Sequence, residues 1–397
     1  MVQMTFAART AKMQLNAIRE ILKVVNRPGM VSLAGGIPAP ESFPLDLMQA
    51  LTSTVLQKYG ATALQYDATE GFFPLREALA DHLATKRVVA DAEQILIFSG
   101  SQGVLDALGK ILITPGDYVA VEAPTYVGAL SAFNPYEPEY VQIATDDAGV
   151  IPAALEEVLQ RQQVKFIYLV PTFQNPTGRT IPLTRRQAIA AIIERYGVLV
   201  VEDDPYSDLR YQGEALPPLK HFAPDHVVYV STLSKTFAPG LRIGFCVAPP
   251  AIHRWLVIAK QGVDLHTSTF NQALAAEYLA GGYLQQQLPK ILAIYKPRQQ
   301  AMLAALDRYM PTDFQWSQPD GGMFLWLEGP AGLDTEAAYW RAVERQVAFV
   351  PGKFFFAEAG AGDATMRLNY TMANEATIDR AVRTLAEVLA EGLASNE

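Results

Sequence analysis

The sequence predicts an α/β fold: a mainly parallel sheet with flanking helices, followed by a smaller α/β unit. From about residue 90 to 247, short β-branched or apolar runs alternate with longer amphipathic ones, and the short runs are continuously apolar. Strands covered on both faces have that pattern, because neither face meets water. After Pro249 the character changes to long helical segments and then to a shorter stretch that mixes strand and helix patterns.

The elements follow in order. Residues 1–22 have helical spacing and lack the continuous apolar core of a signal peptide. Strands are expected at 95–98, 118–121, 166–170, 198–201, 227–230 and 243–247. Between them, 102–113, 152–162 and 184–195 have helical periodicity, with Thr184 as an N-cap. Further helices are expected at 271–280 and 283–309, then strands at 323–327 and 366–370 and helices at 335–346 and 375–393. Pro and Gly clusters at 35–44 and 320–322 punctuate units.

Composition narrows the function. A chain of 397 residues, 50% hydrophobic and 18% charged, can bury a large core in two or three structural units. A net charge of -9 with no basic run argues against a general nucleic-acid binder. The single cysteine, Cys246, rules out an internal disulfide or a Cys-paired zinc site, and its default role is core packing. The histidines His82, His221, His226, His253 and His266 are scattered, so no metal is expected. No stretch approaches the roughly 20 apolar residues that span a bilayer. The expected location is cytoplasmic.

Five constellations carry chemistry. Ser231-Thr-Leu-Ser-Lys-Thr-Phe-Ala-Pro-Gly-Leu-Arg-Ile-Gly-Phe245 places Lys235 just past a buried strand, among hydroxyls, with Arg242 after it. Partial burial and a neighbouring cation favour the neutral amine that an imine-forming lysine needs. Thr232, Ser234 and Arg242 suit a phosphate; the loop alone also fits a surface lysine. Ser99-Gly-Ser-Gln-Gly103 joins a strand to a helix start, where backbone N–H groups bind anions, although a plain turn would look the same. Val201-Glu-Asp-Asp-Pro-Tyr206 puts acids at the end of an apolar run, where ligands of α/β sheets gather. There Asp203 suits a protonated ring nitrogen and Tyr206 a phenolic oxygen of the same ring; a solvated acidic turn fits as well. Asn175, in Pro171-Thr-Phe-Gln-Asn-Pro-Thr-Gly178, has an amide able to donate to an oxyanion from what is otherwise a turn. Arg367, in Met366-Arg-Leu-Asn-Tyr370, is costly in an apolar strand unless it meets an anion, either a ligand carboxylate or a structural partner.

The order and spacing of these motifs resemble those of fold-type I pyridoxal-phosphate enzymes, the aspartate aminotransferase superfamily, over essentially the whole chain. More narrowly, Leu33-Ala-Gly-Gly-Ile-Pro-Ala-Pro-Glu41, Gln65-Tyr-Asp-Ala-Thr-Glu-Gly71, Gln174-Asn-Pro-Thr-Gly178 and Asp264-Leu-His-Thr267 are similar to the bacterial 2-aminoadipate aminotransferases and to kynurenine aminotransferases. The resemblance implies a three-layer sandwich on a mainly parallel seven-stranded sheet. It divides the chain into an N-terminal segment (1–45) that joins the small domain and the substrate site, a large cofactor-binding domain (46–290) and a small domain (291–397).

It also implies roles. Lys235 would carry pyridoxal 5'-phosphate and act as general base, Asp203 would face the ring nitrogen, and Tyr206 and Asn175 the ring hydroxyl oxygen. Tyr126 would stack on the ring. Ser101, Gln102, Thr232, Ser234 and Arg242 would hold the phosphate, joined by Tyr66 from the other subunit of a homodimer. Arg367 and Asn175 would grip the substrate α-carboxylate, with Gly36 beside the substrate and Arg19 meeting a distal carboxylate. The implied reaction moves an amino group from an L-amino acid (2-aminoadipate, glutamate, aromatic or leucine-like) to 2-oxoglutarate or a related 2-oxo acid, by a ping-pong mechanism. Two other functions use the same fold: lyase chemistry at a C–S bond or decarboxylation, and the effector domain of certain transcription regulators. Arg367 favours a reaction that keeps the α-carboxylate. The regulators need a winged-helix unit ahead of the fold, whereas here the N-terminal segment begins almost at Met1.

Overall fold

A computed structural model describes residues 5–13, 24 and 27–394 of the chain. The six continuously apolar runs are strands of one sheet, which has a seventh strand at Glu139–Ile143: β1 Ile95–Phe98, β2 Tyr118–Glu122, β3 Glu139–Ile143, β4 Val164–Leu169, β5 Leu199–Asp203, β6 Val227–Thr232 and β7 Gly244–Val247. They lie in the order β1-β7-β6-β5-β4-β2-β3. β7 is antiparallel to both neighbours and every other pair is parallel. Parallel neighbours need crossovers, and helices such as Ser101–Leu112, Pro152–Arg161 and Leu183–Tyr196 supply them. The carboxyl ends of β1, β2, β4, β5 and β6 therefore share one edge of the sheet. The loops bearing Ser101, Tyr126, Asn175, Tyr206 and Lys235 all leave from that edge, and Arg242 enters β7 there.

The structure departs from the sequence expectation in three places. Glu139–Ile143, where no strand is expected, is an edge strand whose exposed Glu139 and half-buried middle interrupt the apolar signal. Thr184 is not an N-cap: the helix starts at Leu183, after an extended Pro182 (φ -69°, ψ 161°), and has no side-chain cap. Proline's fixed φ suits the residue before a first turn. The helix expected at 335–346 stops at Glu344 and is capped by Asp334, whose carboxylate accepts from the N–H groups of Glu336 and Ala337. Two smaller shifts matter for function. β5 runs past 201 to Asp203 because the buried Glu202 carboxylate accepts from the N–H groups of Leu219 and Lys220, at 2.7 and 2.8 Å. β4 ends at Leu169, and the N–H of Val170 goes instead to the Glu122 carboxylate at 2.9 Å.

The smaller unit is an antiparallel sheet of β8 Gln315–Trp316, β9 Phe324–Glu328, β10 Val350–Pro351 and β11 Thr365–Asn369, in the order β8-β9-β11-β10. Helices Tyr283–Tyr309 and Glu375–Ala394 belong to this unit, and Leu306, Trp326, Tyr339, Tyr370 and Leu385 share one buried cluster. Residues Val31–Ser32 pair in parallel with Val347–Ala348, and Leu33 and Ala34 enter the same cluster. So do Phe173 and Tyr206, from loops of the large sheet. This shared core sets Arg367 of β11 against the sheet edge. Among the described residues no helix is long and apolar enough to cross a membrane.

Candidate active site

A cavity of about 400 Å³ opens at that edge, lined by Ser101, Gln102, Tyr126, Asn175, Asp203, Tyr206, Thr232, Ser234, Lys235 and Arg242, together with Ile37, Val170, Pro205 and Pro239. Ten of the residues singled out from sequence thus meet in one place.

Lys235 follows β6 closely, and its Nζ donates to the carbonyl of Gly36 at 2.8 Å. Burial, with help from the Arg367 and Arg242 charges, lowers its amine to about 8. Asp203 ends β5 and is buried. Its Oδ2 accepts a hydrogen bond of 2.7 Å from the Tyr168 hydroxyl, while Oδ1 is buried with no partner among the described residues. Burial raises its carboxyl to about 7. A buried acceptor left unpaired is expensive, so Oδ1 marks a place for a donor, best a cationic one.

At the other end of the cavity, Ser101 opens the helix Ser101–Leu112, whose free N–H groups and dipole favour an anion. Gly100, at φ +92°, makes the turn; a Cβ there would stand 2.1 Å from the Arg242 guanidinium. Only glycine leaves that approach open. Thr232 and Ser234 are linked through their hydroxyls at 2.9 Å, and Gln102 donates to the carbonyl of Gly128 at 2.6 Å. Behind the turn, Ser99 donates to Asp264 at 2.7 Å, and the buried Lys260 reaches Asp264 at 2.7 Å and Thr267 at 3.1 Å. The Asp264-to-Thr267 motif therefore braces the anion turn.

Arg367, on β11, adjoins the cavity through its lining residue Asn175. It donates to the Asn175 side-chain oxygen at 2.7 Å and to the carbonyl of Ala34 at 2.6 Å, with its guanidinium 4.2 Å from the Phe324 ring centre. The residue is buried, its Nε has no partner, and no carboxylate among the described residues pairs with it. Burial lowers it to about 10, still charged at neutral pH. The Asn175 amide lies 3.4 Å from the Tyr206 hydroxyl, within reach of the same ligand. Burial raises the Tyr206 phenol, which therefore stays a donor. Three cations against one acid suit a ligand that carries both a phosphate and a carboxylate.

Of the residues named from sequence, Gly36 and Arg367 are not in the lining itself but bond to Lys235 and Asn175, which are. Tyr66 is 77% exposed and meets His266 edge-on at 5.6 Å. Arg19 lies outside the described residues. Tyr168 escaped the sequence reading altogether: within an apolar strand run, a tyrosine that serves a ligand site looks like any core tyrosine. Among the described residues no group of three or more His, Cys, Asp or Glu is placed to hold a metal ion.

The family model for aminotransferase class I and II matches residues 31–385. The aromatic-amino-acid aminotransferase 1 of Thermococcus litoralis is 46% identical over 97% of this chain and 94% of its own length. The crystal structure of Pyrococcus horikoshii kynurenine aminotransferase is 43% identical with a TM-score of 0.94, covering 98% of this chain and 97% of its own. The structure of the α-aminoadipate aminotransferase of Thermus thermophilus, complexed with N-(5'-phosphopyridoxyl)-L-leucine, is 40% identical with a TM-score of 0.92 and covers 98% of both chains.

Proposed function

This chain belongs to the class I and II aminotransferases and is a pyridoxal 5'-phosphate-dependent transaminase, and from that premise we propose how its residues divide the work. The supporting observation is one juxtaposition: a lysine amine lowered to about 8 in the cavity and, bonded to the cavity's Asn175, a buried arginine with no acidic partner among the described residues. When bound, pyridoxal phosphate supplies a carbonyl carbon that accepts the amino group and a ring that stores electrons. Asp203 would present Oδ1 to the ring nitrogen, and a cation there would hold the carboxylate ionised. Tyr206 and Asn175 donate to the ring oxygen, and Tyr126 covers a ring face. Ser101, Gln102, Thr232, Ser234 and Arg242 hold the phosphate.

Lys235 would carry the cofactor and serve as the base that takes the proton from the substrate α-carbon; an amine near 8 is well matched to that task at neutral pH. Arg367 and Asn175 hold the substrate carboxylate, and Gly36, whose carbonyl meets the lysine, lies beside the substrate. The amino donors are L-amino acids with aromatic, leucine-like or longer acidic side chains, and 2-oxoglutarate is the acceptor. The apolar lining residues Ile37, Pro205 and Pro239 support the uncharged donors. A panel of L-amino acids offered with 2-oxoglutarate tests this: 2-aminoadipate, glutamate and at least one aromatic or leucine-like amino acid should yield the matching oxo acids. If elimination products or none appear, the assignment is wrong.

A second copy of the chain completes the site in this reading and brings its own Tyr66 to the phosphate. Leu64, Val263 and Leu265 are exposed like Tyr66, and the Thr269 hydroxyl ties their segments together through the carbonyl of Gln65 at 2.9 Å. Apolar side chains gathered this way are characteristic of an interface. Sedimentation at assay concentration should give a dimer, and Tyr66→Phe should weaken cofactor binding; a fully active monomer would refute it.

A further inference from the structure

We propose that Tyr168 is a positioning residue for the cofactor ring: its hydroxyl holds Asp203 so that the second carboxylate oxygen faces the ring nitrogen. The proposal rests on the reading of Asp203 given above. It starts from the strand geometry. β4 and β5 are parallel neighbours with Tyr168 opposite Val201, which sets the tyrosine two residues short of Asp203 along the direction of the strands. Its side chain is fully buried, and Phe133 meets its ring edge-on at 6.0 Å. A ring packed like that has little freedom, so the hydroxyl is delivered to one place. There it donates to Asp203 Oδ2 at 2.7 Å.

The direction of this bond matters. Burial and the neighbouring acid hold the phenol well above its ordinary range, so it remains a donor. A carboxylate anchored at one oxygen keeps only two orientations in its plane, and the buried Oδ1 without a partner is the oxygen left for the cavity. The same donated bond makes the carboxylate less basic. A less basic partner leaves the proton on the ring nitrogen, where it keeps the ring able to store electrons. Removing the hydroxyl frees Asp203 to turn and makes it compete for that proton.

The test compares two probes by equilibrium titration into the full-length apoenzyme: pyridoxal 5'-phosphate and its 1-deaza analogue, which has C–H in place of the ring nitrogen. Tyr168→Phe should bind pyridoxal 5'-phosphate about ten- to a hundred-fold more weakly, the usual cost of losing a hydrogen bond to a charged group. Its affinity for the deaza analogue should be unchanged. In Asp203→Ala the preference for the nitrogen-bearing ring should disappear, and adding Tyr168→Phe to that variant should change neither affinity. Equal weakening of both probes by Tyr168→Phe, or weakening of neither, overturns the proposal while leaving the role of Asp203 intact. An Asp203→Ala enzyme that keeps the full preference overturns both. If Tyr168→Phe alone fails to fold, the double variant decides: folding restored means that Tyr168 acts through Asp203, and continued failure means that its role is structural.

Discussion

Lys235→Ala is expected to abolish covalent attachment of the cofactor and to lower turnover by roughly four orders of magnitude, the upper end of what a positioned general base supplies. The expectation follows from where the amine sits. Lys235 lines the cavity with Asp203 and Arg242, and among the described residues no other lysine lines it. Borohydride reduction followed by peptide mass analysis should find the cofactor's mass on the Lys235 peptide of the parent enzyme and nowhere on the variant. Attachment at another lysine would remove the basis of the assignment.

The parent enzyme carries a pH signature as well. A lysine reacts in its neutral form, and this one is lowered to about 8 by burial and by the Arg367 and Arg242 charges. The rate at which apoenzyme takes up the cofactor should therefore rise with pH to a midpoint near 8, not the roughly 10.4 of a free lysine. A midpoint in the ordinary lysine range would show that these charges do not act on it.

Arg367→Ala should lower kcat/KM for amino acids by about 30- to 5,000-fold, from the roughly 2–5 kcal/mol lost when a buried charged pair loses one partner. In the free enzyme the guanidinium has Asn175, Ala34 and two aromatic rings for company but no acid among the described residues, so a substrate carboxylate would be its first counter-charge. Lysine at this position should recover little, since a point charge cannot reproduce the two-pronged fork. The control is an amine of the same side chain without the carboxylate, whose slow reaction should be nearly indifferent to the substitution. A loss shared equally by acid and amine would point to a collapsed cavity instead.

Legibility in the sequence followed physical contrast. Strands covered on both faces were visible as unbroken apolar runs, and Lys235, Asp203 and Arg367 stood out because a charge beside or within such a run has to be compensated. Where contrast was weak the reading failed. Glu139–Ile143 is wetted at the sheet edge and lost its signature. The Leu183 helix starts from proline geometry, not from a capping side chain. Tyr168 is apolar in character along nearly all of its length, and its one polar atom is spent on a residue 35 positions away.

By itself, then, the sequence determined the α/β class, the parallel sheet and the identity of the chemical groups, because these depend on local periodicity and on residue type. Tertiary structure alone decided which groups meet. Asn175 and Arg367 lie 192 residues apart yet join at 2.7 Å, and Lys235 reaches the carbonyl of Gly36 across 199 residues. Such contacts arise from parallel strands that deliver their loops to one edge and from a small domain packed against it. Packing also left Asp203 Oδ1 and Arg367 Nε buried and unpaired, a property of the assembled cavity that no single segment possesses.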